Sequence, residues 1–232
     1  MRAEELNRSV QDCLKTVWLA QELSSEAVTT TGLAQRLGLS PSTVSEAVKK
    51  LTAQGLLSRP AHGGIALTGR GRDVAVQMVR RHRILEAFLT GHLGYAWDEV
   101  HEEAEVLEHA VSEKFVARLD ALLGHPERDP HGDPIPRRDG TVPSAPAVLL
   151  ADVAPGSPVV VARVSDADPG VLRRLGTAGI RPGTVLVVGE HRPRAVPVVL
   201  DGAVEGAVVE VDVLAAEAVW VLPGPPPGPV RR

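Results

Sequence analysis

The sequence predicts a mainly α-helical protein with a C-terminal β domain, and three observations lead to this prediction. Residues 33–55 have the apolar spacing and turn residues of a helix-turn-helix. Residues 98–113 form an acidic stretch with two histidines and helical periodicity. Residues 147–222 are dominated by short Val-rich runs separated by Gly and Pro, which is typical of a small β-barrel.

Composition restricts the class of protein. At 232 residues, with 44% hydrophobic and 23% charged residues, the chain has the size and composition of a globular protein of one large or two to three small domains. The single cysteine, Cys13, excludes an internal disulfide and fits a reducing compartment. The first residues lack the apolar core of a signal peptide, and no run approaches about 18 apolar residues. We therefore expect a cytoplasmic protein without membrane contact.

The N-terminal region carries the helix-turn-helix pattern. Residues 4–24 predict an amphipathic helix, and residues 33–37 predict a short one that Gly38 ends. Ser40 is placed to cap a second helix, which Gly55 stops. A generic helical hairpin is the alternative, but the glycine in the turn and the inward Val spacing favour a helix that enters the DNA major groove.

Two short runs after this helix, Leu56–Arg59 and Gly64–Leu67, predict the strands of a wing. Polar and basic side chains on the second helix and the wing are the candidate DNA contacts: Ser40, Ser42, Thr43, Ser45, Glu46, Lys49, Lys50 and Arg59. The lysines and Arg59 would attract the phosphate backbone, and His62 in the wing would face phosphate or solvent. The whole region is predicted to be a winged helix that binds double-stranded DNA.

A helical region follows. Residues 71–89 predict a long helix on which His82 and Glu86 share a face. The stretch Asp98–Glu113 holds seven carboxylates and no Lys or Arg, and a continuous helix would place its residues 101, 105, 108 and 109 on one stripe. The stripe is either a solvated acidic face or a metal site. The apolar faces of the two helices predict a homodimer interface, which suits a protein that reads two half-sites.

Residues 124–146 predict a Pro- and Gly-rich loop, in which His125, Asp129, His131 and Asp133 are interpreted as turn residues and not as a metal cluster. The barrel is predicted from a helical turn at 169–175 and four strands: Val159–Val164, Thr184–Gly189, Val196–Leu200 and Val208–Val213. Residues 223–232 predict a flexible tail.

The segments MVRRHRILEAFL, WDEVHEEAEVLEHAVS and HGDPIP behind a winged helix resemble the metal-dependent repressors of the diphtheria toxin repressor (DtxR/MntR) family. The segment GTAGIRPGTVLVV resembles the FeoA-like, Src-homology-like barrel of the longer members. The resemblance extends from about Val10 to Leu222 and is particularly close to actinobacterial manganese-responsive regulators. It implies a DNA-binding domain at 1–75, a dimerisation and metal-binding domain at 76–142, a linker at 143–153, a barrel at 154–222 and a tail at 223–232.

The resemblance also implies two metal centres. The primary ligands would be Asp12, Glu105, Glu108 and His109, and the ancillary ligands would be His82, Glu86, His101 and, from the barrel, Asp168. Val171 stands where the family has a ligating glutamine, so Asp166 could compensate. Lys15 replaces the second acid of the Bacillus-type regulators, which disfavours a closely spaced two-metal cluster. Cys13 is interpreted as a helix-packing residue.

The implied metal is Mn(II), because the first two primary ligands are carboxylates where the iron-responsive branch has methionine and cysteine. An Fe(II)-dependent repressor is the alternative, and Zn(II) or other divalent ions could bind more tightly in vitro. We expect a Mn(II)-dependent repressor of manganese homeostasis genes that binds operator DNA as a homodimer. A di-metal carboxylate enzyme is a remote alternative, because no nucleophile or substrate pocket is evident.

Overall fold

The computed structural model describes residues 3–23, 26–60, 63–143, 146–202 and 207–225. The chain divides into two compact units: Met1–Leu85 with Glu105–Ala121 and Pro136–Val142, and Glu86–Ala104 with Leu122–Ile135 and Pro143–Arg232. His62 of the predicted wing and residues 226–232 of the predicted tail lie outside the described residues. Within those residues, every helix is too short or too polar to span a bilayer.

The first unit contains the winged helix. A 3₁₀ turn at Ala3–Glu5 leads into α1 (Arg8–Leu23), α2 (Thr30–Leu37), α3 (Pro41–Ala53), β1 (Leu57–Ser58), β2 (Ala66–Leu67) and the start of α4 (Gly69–Leu93). The strands pair antiparallel, with Leu57 opposite Leu67. Fully buried apolar side chains from these elements form the core, among them Leu14, Val17, Leu33, Val48, Leu51 and Met78. The predicted winged helix-turn-helix is confirmed, with strands shorter than predicted.

Local sequence explains the helix-turn-helix. Gly38 ends α2 at φ +64°, a left-handed conformation that costs a glycine little. The hydroxyl of Ser40 accepts a hydrogen bond from the Thr43 amide at 3.2 Å, and Pro41 occupies the first turn of α3. At the end of the wing a Cβ on Gly71 would lie 2.0 Å from the Leu56 carbonyl oxygen. Only glycine therefore allows the first turn of α4 to lie this close to the backbone that precedes β1.

The acidic stretch is not one helix. It forms α5 (Val100–Leu107), and a turn separates this helix from α6 (Glu113–Leu122). The carbonyl of Glu108 accepts a hydrogen bond from Arg81 Nη1 at 3.0 Å, and Ser112 caps α6. The prediction of a continuous helix over 98–113 was wrong: the amides of Ala110 and Val111 both donate to the Leu107 carbonyl, which closes α5, and the next carbonyl contacts Arg81.

The second unit is built on a six-stranded antiparallel sheet. Its strands are β3 (Val148–Leu149), β4 (Pro158–Val164), β5 (Val185–Val188), β6 (Ala195–Leu200), β7 (Val209–Asp212) and β8 (Val219–Pro223), in the order β3-β8-β4-β5-β6-β7. A 3₁₀ turn at Leu150–Asp152, α7 (Pro169–Thr177) and α8 (Val213–Ala216) complete it. The four predicted strands are confirmed, and β3 and β8 were not predicted.

The loop at 129–133 is fastened to β4 within this unit. The Val164 amide donates to the His131 carbonyl at 2.8 Å. Gly132 has φ +89°, and a Cβ on it would lie 2.2 Å from the Ala162 carbonyl oxygen. Trp97, just before α5, is buried in the same core as the barrel residues. This packing brings the loop at 129–133, β4 and the residue Trp97 before α5 together within the second unit.

Candidate metal centre

The four predicted primary ligands come together in the first unit. Asp12 lies on α1, Glu105 on α5, and Glu108 and His109 in the turn that follows α5. Each offers one ligating atom, and these atoms lie within 4.8 Å of one another. His109 Nε2 is 2.9 Å from Asp12 Oδ1 and 3.4 Å from Glu108 Oε1. Their geometry is that of a cation site, and their role as ligands remains a prediction.

Three atoms of this group are left without hydrogen bonds. Asp12 Oδ1, Glu108 Oε1 and His109 Nε2 are buried and have no hydrogen-bond partner among the residues that the structure describes. A buried polar group without a partner costs about 1–3 kcal/mol. Because the three atoms face one another, a single divalent cation would satisfy all of them. Carboxylate oxygens with one imidazole nitrogen form a donor set that suits such an ion.

Gln11 orients the histidine of this group, and the sequence interpretation missed it. Its side-chain oxygen lies 2.6 Å from His109 Nδ1, while its amide nitrogen donates to the Ala3 carbonyl at 2.7 Å. With the amide fixed in this way, the oxygen must accept a hydrogen from Nδ1. The lone pair of His109 Nε2 is then directed at the cluster, as an outer-shell partner of a metal ligand requires. No sequence signal beyond adjacency to Asp12 marks this residue.

Charge is distributed unevenly across the primary cluster. Burial raises the pKa of Asp12; His109 lowers it, and Glu105 and Glu108 raise it further. Burial also acts to raise the pKa of Glu108, but a hydrogen bond from His82 and the charge of Lys15 outweigh it and lower the pKa to about 2. The Glu108 side of the cluster therefore already holds a buried positive charge, whereas on the Asp12 side the exposed Arg8 guanidinium lies 3.7 Å from Oδ2.

A second group lies in the second unit. His101 Nδ1 on α5 is 2.8 Å from Asp166 Oδ2 and 3.5 Å from Glu86 Oε1 on α4. Partial burial disfavours the charge on His101, but both carboxylates together raise its pKa to about 10. Burial likewise opposes ionisation of Asp166, and its hydrogen bond with His101 lowers its pKa to about 2. Glu86 and His101 were predicted ligands, and the structure brings them together.

The loop histidine His131 joins this second group. It is fully buried, with Nδ1 3.8 Å from Glu86 Oε1, and Glu86, Asp129 and His131 form a further cluster within 4.8 Å. His131 Nε2 lies 2.6 Å from the Trp97 carbonyl, so it donates and leaves Nδ1 as an acceptor. Asp129 accepts from two loop amides, as the predicted turn requires. The turn interpretation was therefore incomplete, because it missed the burial of His131 beside Glu86.

Two predicted ancillary ligands have other contacts. Asp168 is exposed and caps α7, because its side chain accepts a hydrogen bond from the Gly170 amide at 2.7 Å. The carboxylate beside His101 is that of Asp166 instead. His82 Nδ1 lies 2.6 Å from Glu108 Oε2 in the first unit. A neutral His82 that donates from Nδ1 keeps its Nε2 lone pair for a metal ion. Metal ligation by Asp168 and His82 remains a prediction.

The candidate DNA-contacting residues are all exposed: Ser40, Ser42, Thr43, Ser45, Glu46, Lys49, Lys50 and Arg59. Seven of them are on α3 or at its N-cap, and Arg59 directly follows β1. Ser40 also lies 2.8 Å from the hydroxyls of both Ser42 and Thr43, so its first role is to cap the helix. The exposed face of α3 is available to a DNA groove.

A winged helix joined to partly buried carboxylate–imidazole clusters defines a metal-dependent DNA-binding repressor. The chain matches the model of the iron dependent repressor N-terminal DNA-binding domain over residues 5–65. It matches the metal-binding and dimerisation domain of the same repressors over 68–137 and the FeoA domain over 148–222. The chain belongs to the iron-dependent repressor family, also called the diphtheria toxin repressor family, and the predicted family, fold class and DNA and metal partners are confirmed.

Individual relatives agree with this assignment. The chain is 32% identical over 204 residues to the iron-dependent repressor IdeR of Mycobacterium leprae, covering 82% of this chain and 87% of that one. It superimposes with a TM-score of 0.87 on a manganese-dependent transcriptional repressor in complex with manganese, at 51% identity over 92% of this chain and 99% of that one. It superimposes with a TM-score of 0.76 on the manganese regulator SloR, at 31% identity over 92% of this chain and 98% of that one.

Proposed function

We propose that this chain is a manganese-responsive repressor that binds operator DNA as a homodimer when Mn(II) occupies its primary centre. The observation that carries the proposal is the convergence of three unpartnered buried atoms from Asp12, Glu108 and His109. Beside them, Glu105 offers a carboxylate oxygen, whereas a thiolate at this position would favour a softer ion. The manganese-dependent solved structures support the same ion.

The proposed mechanism links metal binding to DNA binding through α1. Asp12 is the only proposed primary ligand on this helix, and α1 packs against α2 and β2 of the winged helix. Asp12, Glu105, Glu108 and His109 would hold the ion, whose positive charge would offset the repulsion among the three carboxylates. Asp12 would thereby hold α1 against the turn that carries Glu108 and His109. If the DNA-competent arrangement of the winged helix requires this position of α1, metal affinity and DNA affinity rise together.

The second centre is proposed to bind an ion through Glu86, His101, Asp166 and His131. Glu86 and His101 come from helices, and Asp166 follows β4, so the ion would fasten helices and barrel within the second unit. His82 and Asp168 stay in the proposal as ligands implied by the family resemblance. We also propose that the DNA-binding domain, the dimerisation domain, the linker and the barrel end at residues 75, 142, 153 and 222. The protein would act in the cytoplasm, where it meets chromosomal DNA, and would have no catalytic activity.

An iron-responsive repressor is the second candidate, because curated relatives such as IdeR are iron-dependent repressors. The two candidates differ in the ion that promotes operator binding. The test is an anaerobic titration of the dimer on operator DNA with Mn(II), Fe(II) and Zn(II). Activation at lower free Mn(II) than Fe(II) supports the proposal, and DNA affinity unchanged by metal or chelator would end it.

A double variant tests the ligand assignment directly. Asp12→Met with Glu105→Cys supplies the softer donors of the iron-responsive branch, so it should move the response from Mn(II) toward Fe(II). Asp12→Glu is the matched control, since it keeps a carboxylate on α1. An unchanged order of metal preference in the double variant contradicts the proposed primary ligands.

A further inference from the structure

An open cavity of about 670 Å³ lies in the first unit, and its described lining contains none of the proposed metal ligands. Its walls are the N-terminal half of α4, the start of α6, the 3₁₀ turn at Ala3–Glu5 and the loop at 137–141. Five of the residues that line it are arginines: Arg72, Arg80, Arg81, Arg137 and Arg138. Cavities of roughly 300–1,000 Å³ commonly bind small molecules, so this one has the size of a ligand site.

The loop at 137–141 presents two of these arginines on a fixed backbone. Asp139 accepts hydrogen bonds from the amide and the hydroxyl of Thr141, at 2.9 Å and 2.7 Å. The Arg137 amide donates to the Thr141 carbonyl at 2.8 Å. The side chains of Arg137 and Arg138 themselves are exposed. Because the turn is already ordered, a ligand that binds these two guanidinium groups does not have to order their backbone.

Arg81 adds a buried guanidinium to the cavity wall. It is 2% exposed, and its Nη1 donates to the Glu108 carbonyl at 3.0 Å. Its carboxylate contacts are longer, with Nη2 3.4 Å from Glu113 Oε2 and 3.6 Å from Glu4 Oε1. Within the described part of the chain, its Nε has no hydrogen-bond partner. A buried charge is costly unless it is closely paired, so an anion in the cavity would offset part of this cost.

The charges left over after pairing favour an anion as the ligand. Arg80 already pairs with Asp120 at 2.7 Å. Three lining arginines form no side-chain ion pair or hydrogen bond among the described residues: Arg72, Arg137 and Arg138. Among those same residues, Asp73 is the one lining carboxylate without such a contact. Guanidinium groups bind phosphate and carboxylate through paired hydrogen bonds, so three of them suit a ligand with several anionic groups.

We propose that this cavity binds a small polyanion, whose phosphate or carboxylate groups are held by Arg72, Arg137 and Arg138 and whose charge also offsets that of Arg81. The site shares no residue with the proposed metal centres, and its occupation requires no metal ion. It gives the protein a second ligand that is chemically distinct from the metal.

Non-specific attraction to the DNA-binding face is the competing explanation, because Lys49 and Lys50 are also an adjacent, exposed basic pair in the first unit. The two explanations differ in which pair matters. Arg137→Ala with Arg138→Ala and Lys49→Ala with Lys50→Ala remove the same charge, so each double variant is the control for the other.

The experiment is a calorimetric titration of the full-length, metal-free protein with inorganic pyrophosphate and, separately, with citrate at physiological ionic strength. Metal is left out because both anions chelate divalent ions. We expect one anion bound per protomer, and the arginine double variant should bind it roughly tenfold or more weakly. The lysine double variant should bind it like the wild type, because charges more than about 8 Å away are largely screened. Pyrophosphate binding identifies phosphate as the preferred group, and citrate binding identifies carboxylate.

Binding of neither anion by the wild type overturns the proposal, and so does equal weakening by the two double variants. Arg72→Ala is a second test on α4 that leaves the loop unchanged, and it should also weaken binding if the arginine double variant does not fold. Wild-type affinity in Arg72→Ala and in the folded loop variant places the anion elsewhere and ends the proposal. Each of these results leaves the proposed metal response untouched, because the titrations contain neither metal nor DNA.

Discussion

Replacing Gly132 with alanine will test whether the loop at 129–133 supports the second metal centre, because the change alters no proposed ligand. Gly132 has φ +89°, and an added Cβ would lie 2.2 Å from the Ala162 carbonyl oxygen and 2.9 Å from Arg163 Cα. Neither atom belongs to a flexible side chain that could move aside. The loop must therefore shift away from β4 and take its neighbour His131 with it.

The size of the effect follows from two contributions. A non-glycine residue in the left-handed region costs about 1–2 kcal/mol. Shifting the loop also breaks the hydrogen bond from the Val164 amide to the His131 carbonyl, and a buried group left unpaired costs a further ~1–3 kcal/mol. Gly132→Ala should therefore destabilise the second unit by about 2–5 kcal/mol.

Gly183→Ala is a matched control in the same unit. Gly183 also has φ +89°, is exposed, and has open space where the Cβ would be. It should show the conformational cost alone and leave Mn(II) binding unchanged. Urea unfolding followed by tryptophan fluorescence measures stability, and calorimetric titration with Mn(II) measures each centre. Equal stability of the two variants, or an unchanged second centre in Gly132→Ala, would refute the argument.

Three further predictions concern the metal and DNA sites. Asp12→Ala should weaken Mn(II) binding at the primary centre by at least the ~10–100-fold that removal of an outer-shell partner costs, and should abolish Mn(II)-dependent operator binding. Arg8→Ala, which removes the ion pair at 3.7 Å from Asp12, should leave both nearly unchanged, and equally weakened binding in calorimetry would contradict this. The pKa of His101 is raised from 6.5 to about 10, so its stabilisation of the metal-free protein is complete below pH 6.5 and disappears as pH rises to about 10. His101→Gln should flatten that part of the urea-unfolding profile, and a profile identical to the wild type would contradict it. Lys49→Ala with Lys50→Ala should reduce the slope of log binding constant against log salt by ~0.9 for each DNA phosphate that is no longer neutralised, while the Mn(II) dependence persists.

The helix-turn-helix could be predicted because its determinants are local. Gly38 and Ser40 form a C-cap and an N-cap within three residues, and each carries the conformational preference that the turn needs. The barrel strands were predictable for a similar reason, since β4 alternates buried Val159 and Val161 with less buried neighbours. Such patterns depend on residues close in sequence, and they do not require knowledge of the tertiary structure.

The end of α5 could not be predicted in this way. Helical periodicity continues past Leu107, and the helix ends where Arg81, 27 residues earlier in the chain, donates to the Glu108 carbonyl. His131 was missed for the same physical reason. Its neighbours in sequence are turn residues, and its burial depends on packing against Trp97 and β4, which are distant in sequence.

The proposed ligands were predicted from motifs, yet these motifs do not say which atoms are available to a metal ion. Glu108 is a single glutamate in the sequence, but in the folded chain its two oxygens have opposite situations. Oε2 is satisfied by Lys15 and His82, and Oε1 lacks a hydrogen-bond partner among the described residues. Burial makes this difference consequential, since an unpaired carboxylate oxygen in water would cost nothing. If the centre binds a metal ion as proposed, Lys15, which already neutralises Glu108, would shape its response as much as the proposed ligands do.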